Sequence, residues 1–498
     1  MRGDVNHEQA GRRSFLRTAA ALAVAGFWRE TRATPPCSVP PTEGDLDRLR
    51  RAIGGDVVYP SDRSYDALRL IYERRFQYQP LAIVRPTSSA DVAYAIDWAR
   101  NRGMVITPRS GGHSYIGAGC SDGIVIDLGL LDGIEAVDED GLARIGAGAQ
   151  LGALERGLHC QADRRLPSGT CPTVGIGGIA LGGGHGYVTR RHGLTCDRLR
   201  EATVVMADGR VVKTSADRER DLFWALRGGG GGLGIVTEMR FETVPSTQLS
   251  LARIEVEADA FIDGFEAFES VSLAPPSNEV SFFASIDNGD PDADLRFRIS
   301  VVVPDEPSAA SALLESLLPS GLPTRGAEAF EIPLPSCNAS DAAGGEWARR
   351  KSAMPRMPIG PDGAEVMRTW FAARRRDPSL PQSDPARIAF NGYGGAVALV
   401  PRDATAFPHR DALYSVQMST VWNASSSPQT VTANADWIRG LERELRPHLG
   451  PGCYYNYADE DLEDWAHAYW LENLPRLRSV KRAVDPFGVL RGRQWVVG

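Results

Sequence analysis

The sequence predicts an α+β protein in which a glycine-rich α/β region is interrupted by a region of alternating strands and then completed by the C-terminus. Three observations predict this. At 498 residues the chain exceeds what one hydrophobic core holds. Near Pro245 the texture changes, as glycine-rich loops between helical and extended stretches give way to longer alternating strands. The last fifty residues, opening on Tyr454-Tyr455-Asn456-Tyr457-Ala458-Asp459, return to a distinctive style, so the first region is expected to be split. The boundaries are 45–245 for the first part, 246–445 for the inserted region and 446–498 for the returning piece, after a leader over 1–33.

Taken in order, Leu46 to Ile53 and Tyr65 to Tyr72 are expected to be short helices, and Leu81 to Val84 is extended. Ser88 and Asp91 form a capping box. Val92, Ala95, Ile96 and Ala99 recur at helical spacing, and Gly103 closes the helix Ser89 to Arg102. Val105 to Thr107 is then a strand, and Arg109 to Tyr115 (RSGGHSY) is the loop leaving its end, where α/β proteins place ligands. Strands follow at Gly123 to Leu128 and Ala143 to Gly148, and a helix at Gln150 to Leu158. Ala202 to Met206 and Val211 to Thr214 flank Asp208-Gly209, a hairpin signal because both turn residues tolerate positive φ. A helix over Arg218 to Leu226 runs into five glycines, Gly228 to Gly232, and a strand after them. Beyond Pro245, strands at Leu251 to Glu257, Val280 to Ile286, Leu295 to Val303, Ala389 to Val400 and Leu413 to Val421 alternate with helices at Ala309 to Leu317, Glu365 to Arg374 and Asn434 to Leu445. This is the pattern of a large antiparallel sheet flanked by helices. The C-terminal piece holds a helix over Leu462 to Trp470 and ends on RSVKRAVDPFGVL.

Composition narrows the function. With 55 basic against 63 acidic residues the net charge is −8, which disfavours nucleic acid and leaves a small molecule as the expected partner. Gly11 to Arg17 (GRRSFLR), followed by a short alanine-rich apolar run, resembles the twin-arginine signal that exports folded proteins, with cleavage near Ala33. No later stretch is apolar enough to span a membrane. Seven cysteines show no C-x-x-C pair and no regular spacing, which indicates neither a zinc cage nor a disulfide framework. There is no HExxH and no acidic cluster near His113 or His185, so no metal is expected.

Pro167 to Tyr187 (PSGTCPTVGIGGIALGGGHGY) carries the chemistry. Gly175, Gly177 and Ala180 satisfy the G-x-G-x-x-A dinucleotide fingerprint, but Pro167 and Pro172 interrupt the strand it requires and Gly182 to Gly184 destroy its helix. The expected alternative is a wrap of three glycine loops around an extended dinucleotide, with backbone N–H groups and the Arg109 and Ser110 side chains facing the pyrophosphate.

RSGGHSY, PSGTCPTVGIGGIALGGGHG, DLFWALRGGGGG, TAFPHRD, YYNYADEDL and VKRAVDP together resemble the berberine bridge enzyme-like FAD-linked oxidases of the vanillyl-alcohol oxidase (PCMH-type) superfamily, from residue 45 to the end. The resemblance implies a split FAD-binding domain of two α/β subdomains plus a substrate domain. It further implies FAD bonded through its 8α-methyl carbon to His113 and through C6 to Cys171. For either residue alone the plainer alternatives are a turn histidine and a buried small hydrophobe. The cofactor-binding candidates are Arg109, Ser110, Gly111, Gly112 and Ser114, then Thr173, Val174, Gly175, Gly177 and Gly178, then Gly234, Ile235 and Val236, with Tyr454 and Asn456 from the C-terminus. Tyr457 matches the family's catalytic base, a phenolate that takes a hydroxyl proton as hydride leaves carbon for flavin N5. Nearby positive charge or hydrogen-bond donors must make that phenol more acidic. His185 stands where many relatives carry tyrosine. It is a candidate second acid or base, with an ordinary titration near pH ~6.5. Val174, a small residue three after the cysteine, goes with access of O2. Tyr393 and Gln417 are substrate-side candidates. The implied reaction is oxidation of a sugar or natural-product alcohol to a carbonyl or lactone, with O2 giving hydrogen peroxide. Oxidative carbon–carbon bond formation is the alternative within the fold, and a flavin-binding carrier is the non-enzymatic one.

Overall fold

The computed structural model describes residues 41–135, 137–289, 295–334 and 344–498; the expected leader, Cys37 and Cys337 lie outside them. A first sheet runs in the order Asp56–Val58, Ala82–Arg85, Ile124–Asp127, Ile106–Arg109, with an antiparallel first pair and parallel pairs after it. The helix Ser89–Arg100 crosses over from Ala82–Arg85 to Ile106–Arg109, and the later strand Ile124–Asp127 fills the place between them, parallel to both. Its Ser88 hydroxyl accepts from Asp91 N at 3.1 Å. The Asp91 carboxylate accepts instead from Gly54 N at 2.9 Å and Thr87 N at 3.0 Å, so the helix start is tied to its neighbours rather than closed in a reciprocal box. RSGGHSY leaves the C-terminal end of Ile106–Arg109, as expected.

A second, wholly antiparallel sheet has the order Leu142–Gly146, Ile235–Glu242, Leu199–Val205, Val211–Ser215. Gly209 turns its hairpin with φ 87°. Two readings of the glycine stretches need correction. Ile176–Leu181 is a helix of six residues, held by buried Ile176 and Ala180 and ended at Gly182, so a helix does leave the fingerprint-like glycines. No strand leads into it, since 166–174 is irregular. The run Gly228 to Gly232, expected to wrap a ligand, is packed by aromatic side chains. A Cβ at Gly228 would stand 2.5 Å from Phe407, at Gly230 2.3 Å from the Tyr455 ring and at Gly231 2.7 Å from the Trp495 indole, so these glycines admit aromatic rings.

The inserted region forms one seven-stranded sheet with every pair antiparallel, in the order Thr324–Ile332, Leu249–Val256, Arg296–Val303, Ser281–Asp287, Ala386–Gly392, Tyr414–Trp422, Trp347–Ala353. Both edge strands escaped the sequence reading. Thr324–Ile332 is mostly exposed, and Trp347–Ala353 (WARRKSA) is rich in charge because ion pairs form on both its faces, Arg350 with Glu73 and Lys351 with Asp459. The expected strand Ala389 to Val400 stops at Gly392, since Gly394 and Gly395 take φ 83° and 55° and start a 3-10 turn. One face of the sheet packs on the helices Phe261–Leu273, Gly360–Arg376 and Pro428–Leu449 through Phe265, Phe268, Phe371, Phe390 and Trp437. The period of two along Tyr414–Trp422 sends Val416 and Met418 into that core and Gln417 to the opposite face.

The C-terminal helices Trp465–Trp470 and Leu474–Val484 return to the first core, where Trp470, Leu477 and Trp495 share one cluster with Val84, Ile126 and Phe241. Buried Lys481 pins this end. It donates to Gly232 O at 2.6 Å, Leu490 O at 2.9 Å and the Asp485 carboxylate at 2.6 Å. Cys160 is disulfide-bonded, a pairing that cysteine spacing did not indicate, whereas Cys120, Cys171, Cys196 and Cys453 are free thiols. No described helix is long and apolar enough to cross a membrane.

Candidate active site

Two loops cross at the heart of the site. A Cβ on Gly111 would lie 2.2 Å from Gly175 N, and one on Gly175 would lie 2.1 Å from Ser110 Oγ, so only glycine lets the RSGGHSY loop meet the cysteine loop. The crossing brings three side chains together. His113 Nε2 lies 2.9 Å from Thr173 Oγ1, and Cys171 Sγ lies 3.8 Å from the same oxygen. Cys171 is exposed, which removes its alternative reading as a buried small hydrophobe. Tyr72 stacks on His113 with centroids 4.2 Å apart and fixes the ring plane. Burial, with Arg350 adding to it and a Thr173 backbone bond opposing, pushes the His113 pKa down to about 4, so the imidazole is neutral at pH 7.

Tyrosines form the facing wall. Tyr115 stacks on Tyr457 at 5.9 Å and receives a hydrogen bond from Gln417 Nε2 at 2.8 Å, which joins the first loop to the seven-stranded sheet. His185 stands among Tyr454, Tyr457 and Tyr393 with centroid distances of 5.3, 5.6 and 5.6 Å. Its Nε2 and the Tyr393 hydroxyl are buried without a partner among the described residues. Burial lowers the His185 pKa to about 4, so the titration expected near pH ~6.5 is displaced and the ring is no source of positive charge at neutral pH. Tyr457 is held well above the ordinary phenol value, by burial first and by Tyr115 and Tyr454 next, while Arg387 works the other way. Of the means expected to acidify this phenol, the chain therefore supplies one cation and no charged histidine.

Residues missed in the sequence complete the site. The Arg350 guanidinium lies 4.3 Å over the Tyr115 ring and 5.7 Å from that of Tyr72, between the ring that orients His113 and the ring that stacks on Tyr457. It is held by Glu73, fully buried, at 2.9 Å, and by Glu346. Glu73 also bonds Arg75 at 3.1 Å and Ala348 N at 3.1 Å, and burial raises its pKa. No local motif marks Glu73 or Arg350, since 277 residues separate them.

The predicted residues divide. Ser110 Oγ donates to Ala147 O at 2.6 Å and Ser114 Oγ accepts from Ala118 N at 3.0 Å, so both hydroxyls secure the loop. The Arg109 guanidinium is turned to Asp127, 2.7 Å from Nε, and to Leu68 O, 2.6 Å from Nη2. The expectation that Arg109 and Ser110 face a pyrophosphate is therefore corrected: Arg109 is a buried strut under Gly112. Gly234 passes Val204 closely, and the Ile235 and Val236 side chains belong to the second sheet's core, leaving only main chain to face a ligand. Val174 is half-buried and packs on the first core. Tyr454 OH accepts from Gly184 N at 2.8 Å and from Asn456 Nδ2 at 2.9 Å, which locks the C-terminal strip to the histidine-bearing glycines. Tyr393 is buried beside His185, and Gln417 reaches Tyr115.

The family is established by comparison. A model described as an FAD binding domain matches residues 80–215, and one described as berberine and berberine like matches 453–496. The chain is 31% identical over 449 residues to YgaK, an uncharacterized FAD-linked oxidoreductase of Bacillus subtilis, covering 88% of this chain and 96% of that one. It is 30% identical over 443 residues to glucooligosaccharide oxidase of Sarocladium strictum, covering 83% and 87%. Among solved structures, a glucooligosaccharide oxidase from Acremonium strictum with a 6-S-cysteinyl, 8α-N1-histidyl FAD superposes with a TM-score of 0.81 at 26% identity over 91% of this chain and 99% of that one. A fold with an FAD-binding module and a cluster of tyrosines against the crossed loops defines a flavin-dependent oxidoreductase. The chain belongs to the berberine bridge enzyme-like FAD-linked oxidoreductases. The residues present fit the cofactor: Gly178 is exposed with nothing within 4 Å of where its Cβ would stand, Cys171 offers an open thiol, and neutral His113 lies beside it.

Proposed function

We propose that this chain is an exported FAD-dependent oxidase that converts an alcohol of a sugar or natural product to a carbonyl or lactone, with the cofactor bonded to His113 and Cys171. The observation that carries the reading is the shared Thr173 hydroxyl, which sets a neutral imidazole and an open thiol side by side. When bound, FAD supplies a hydride acceptor at N5 and passes the electrons to O2 as hydrogen peroxide. The chain's own part is binding, orientation and proton removal. Tyr457 receives the substrate hydroxyl proton as hydride leaves. Burial keeps this phenol protonated at rest, and Arg387 is the side chain that favours its deprotonation. The Gln417–Tyr115 bond holds the ring that Tyr457 stacks on, and His185 fills the remaining side as a neutral donor or acceptor. Val174 beside the anchor leaves room for O2. Likeness to glucooligosaccharide oxidase supports a saccharide substrate. The test is turnover of an oligosaccharide panel with peroxide measured. One peroxide per product with loss of turnover in Tyr457→Phe supports the assignment, and product without peroxide overturns it.

A further inference from the structure

Resting on the proposed double attachment, we infer that Thr173 is a positioning residue for both bonds, its one hydroxyl accepting from His113 Nε2–H while donating to the Cys171 sulfur. Geometry supplies the first half. A neutral imidazole carries one proton and one lone pair. With Nε2 at 2.9 Å from Thr173 Oγ1 and the ring face covered by Tyr72 at 4.2 Å, the Nδ1 edge is the one left to attack carbon. Attack through Nδ1 requires its lone pair, so the proton sits on Nε2 and Thr173 accepts it, through its hydroxyl oxygen with its carbonyl beside it.

Acceptance from His113 sets the second half. A hydroxyl has one proton to give, and with its oxygen engaged by the imidazole that proton points to another acceptor. Cys171 Sγ lies 3.8 Å away, within reach of a sulfur hydrogen bond. The thiolate is the nucleophile in such chemistry, and a hydroxyl donor favours it. The backbone makes this register rigid, because Thr173 O packs against Gly111 and Val174 N donates to Cys171 O at 3.3 Å.

Each bond balances in the same way. Nδ1 of His113 bonds the 8α carbon, or the sulfur of Cys171 bonds C6; that carbon loses one hydrogen as a proton, the imidazole Nε2–H or the thiol S–H loses a second, two electrons enter the flavin, and O2 takes the two electrons and two protons as hydrogen peroxide. Thr173 takes part in neither redox step. It selects the tautomer on one side and supports the nucleophile on the other.

The test separates the bonds by background. In Cys171→Ala protein the flavin retained on denaturation reports the histidine bond, and in His113→Ala protein it reports the cysteine bond, both read by intact mass during expression time courses. Thr173→Val, which keeps the shape and removes the hydroxyl, is expected to slow attachment roughly tenfold in each background, the size of one hydrogen bond to a reacting group. Thr173→Ser is expected to restore both. Wild-type rates with valine in either background overturn the shared role, as does a serine variant as slow as valine. Wild-type protein that releases all its flavin on denaturation fails the double-attachment reading instead.

Discussion

His409, from the TAFPHRD segment, makes the protein acid-sensitive in a way that can be worked through. The ring is 2% exposed and lies 5.4 Å from Phe407, and its Nε2 is 3.0 Å from Tyr469 O. A carbonyl only accepts, so Nε2 carries the proton and Nδ1 is bare. Burial lowers the pKa to about 4, with the Tyr469 bond opposing, Arg402 lowering it further and Asp411 and Glu472 raising it. The folded value lies below the unfolded ~6.5, so the unfolded chain binds the extra proton between these limits. This contribution to stability is complete above pH ~6.5 and falls as pH drops toward 4. At pH 5 the loss is about 2 kcal/mol, from the ratio of protonation in the two states. His409→Gln keeps a donor for Tyr469 O and cannot titrate. Urea unfolding followed by tryptophan fluorescence at pH 7.5 and 5.0 should show the variant losing about 2 kcal/mol less than wild type over that interval. Equal losses in the two proteins would refute the reasoning. The site is affected too, because Tyr469 OH accepts from Asp459 N at 3.0 Å, two residues from Tyr457.

Other outcomes follow from the same geometry. Arg350→Met leaves Glu73 buried beside Arg75 alone and should cost about 3 kcal/mol in urea unfolding, most of it recovered in Glu73→Gln/Arg350→Met; a double variant as unstable as the summed singles would contradict the pairing. Gly178→Ala meets open space in a helix, so the chain should gain up to about 1 kcal/mol while flavin content, read by absorbance, falls. Gly111→Ala drives a methyl into Gly175 N and should cost about 3 kcal/mol or more, with flavin lost along with soluble yield. His185→Phe should lower turnover yet keep the shape of the pH–rate profile above pH ~5, because the pKa of about 4 leaves the ring neutral there.

Local signals in the sequence were legible and long-range ones were not. Helix Ser89–Arg100, the Asp208-Gly209 hairpin and the alternation of Tyr414–Trp422 each follow from spacing within a dozen residues. His113 and Cys171 were legible because glycines mark the loops that carry them. Arg109 misled because a cation beside glycines suggests an anion, whereas its partner Asp127 comes from the adjacent parallel strand. Gly228 to Gly232 misled for a related reason, since glycine reports close approach and not what approaches, here Phe407, Tyr455 and Trp495. Arg350 and Glu73 were invisible because burial turns two ordinary charges into a site feature only once the fold joins them.

The most direct measurement is the intact mass of the denatured wild-type chain beside His113→Ala and Cys171→Ala. Double attachment predicts that wild type and each single variant retain one FAD, and that the double variant retains none. A wild-type chain that denatures to its bare polypeptide mass would contradict the account.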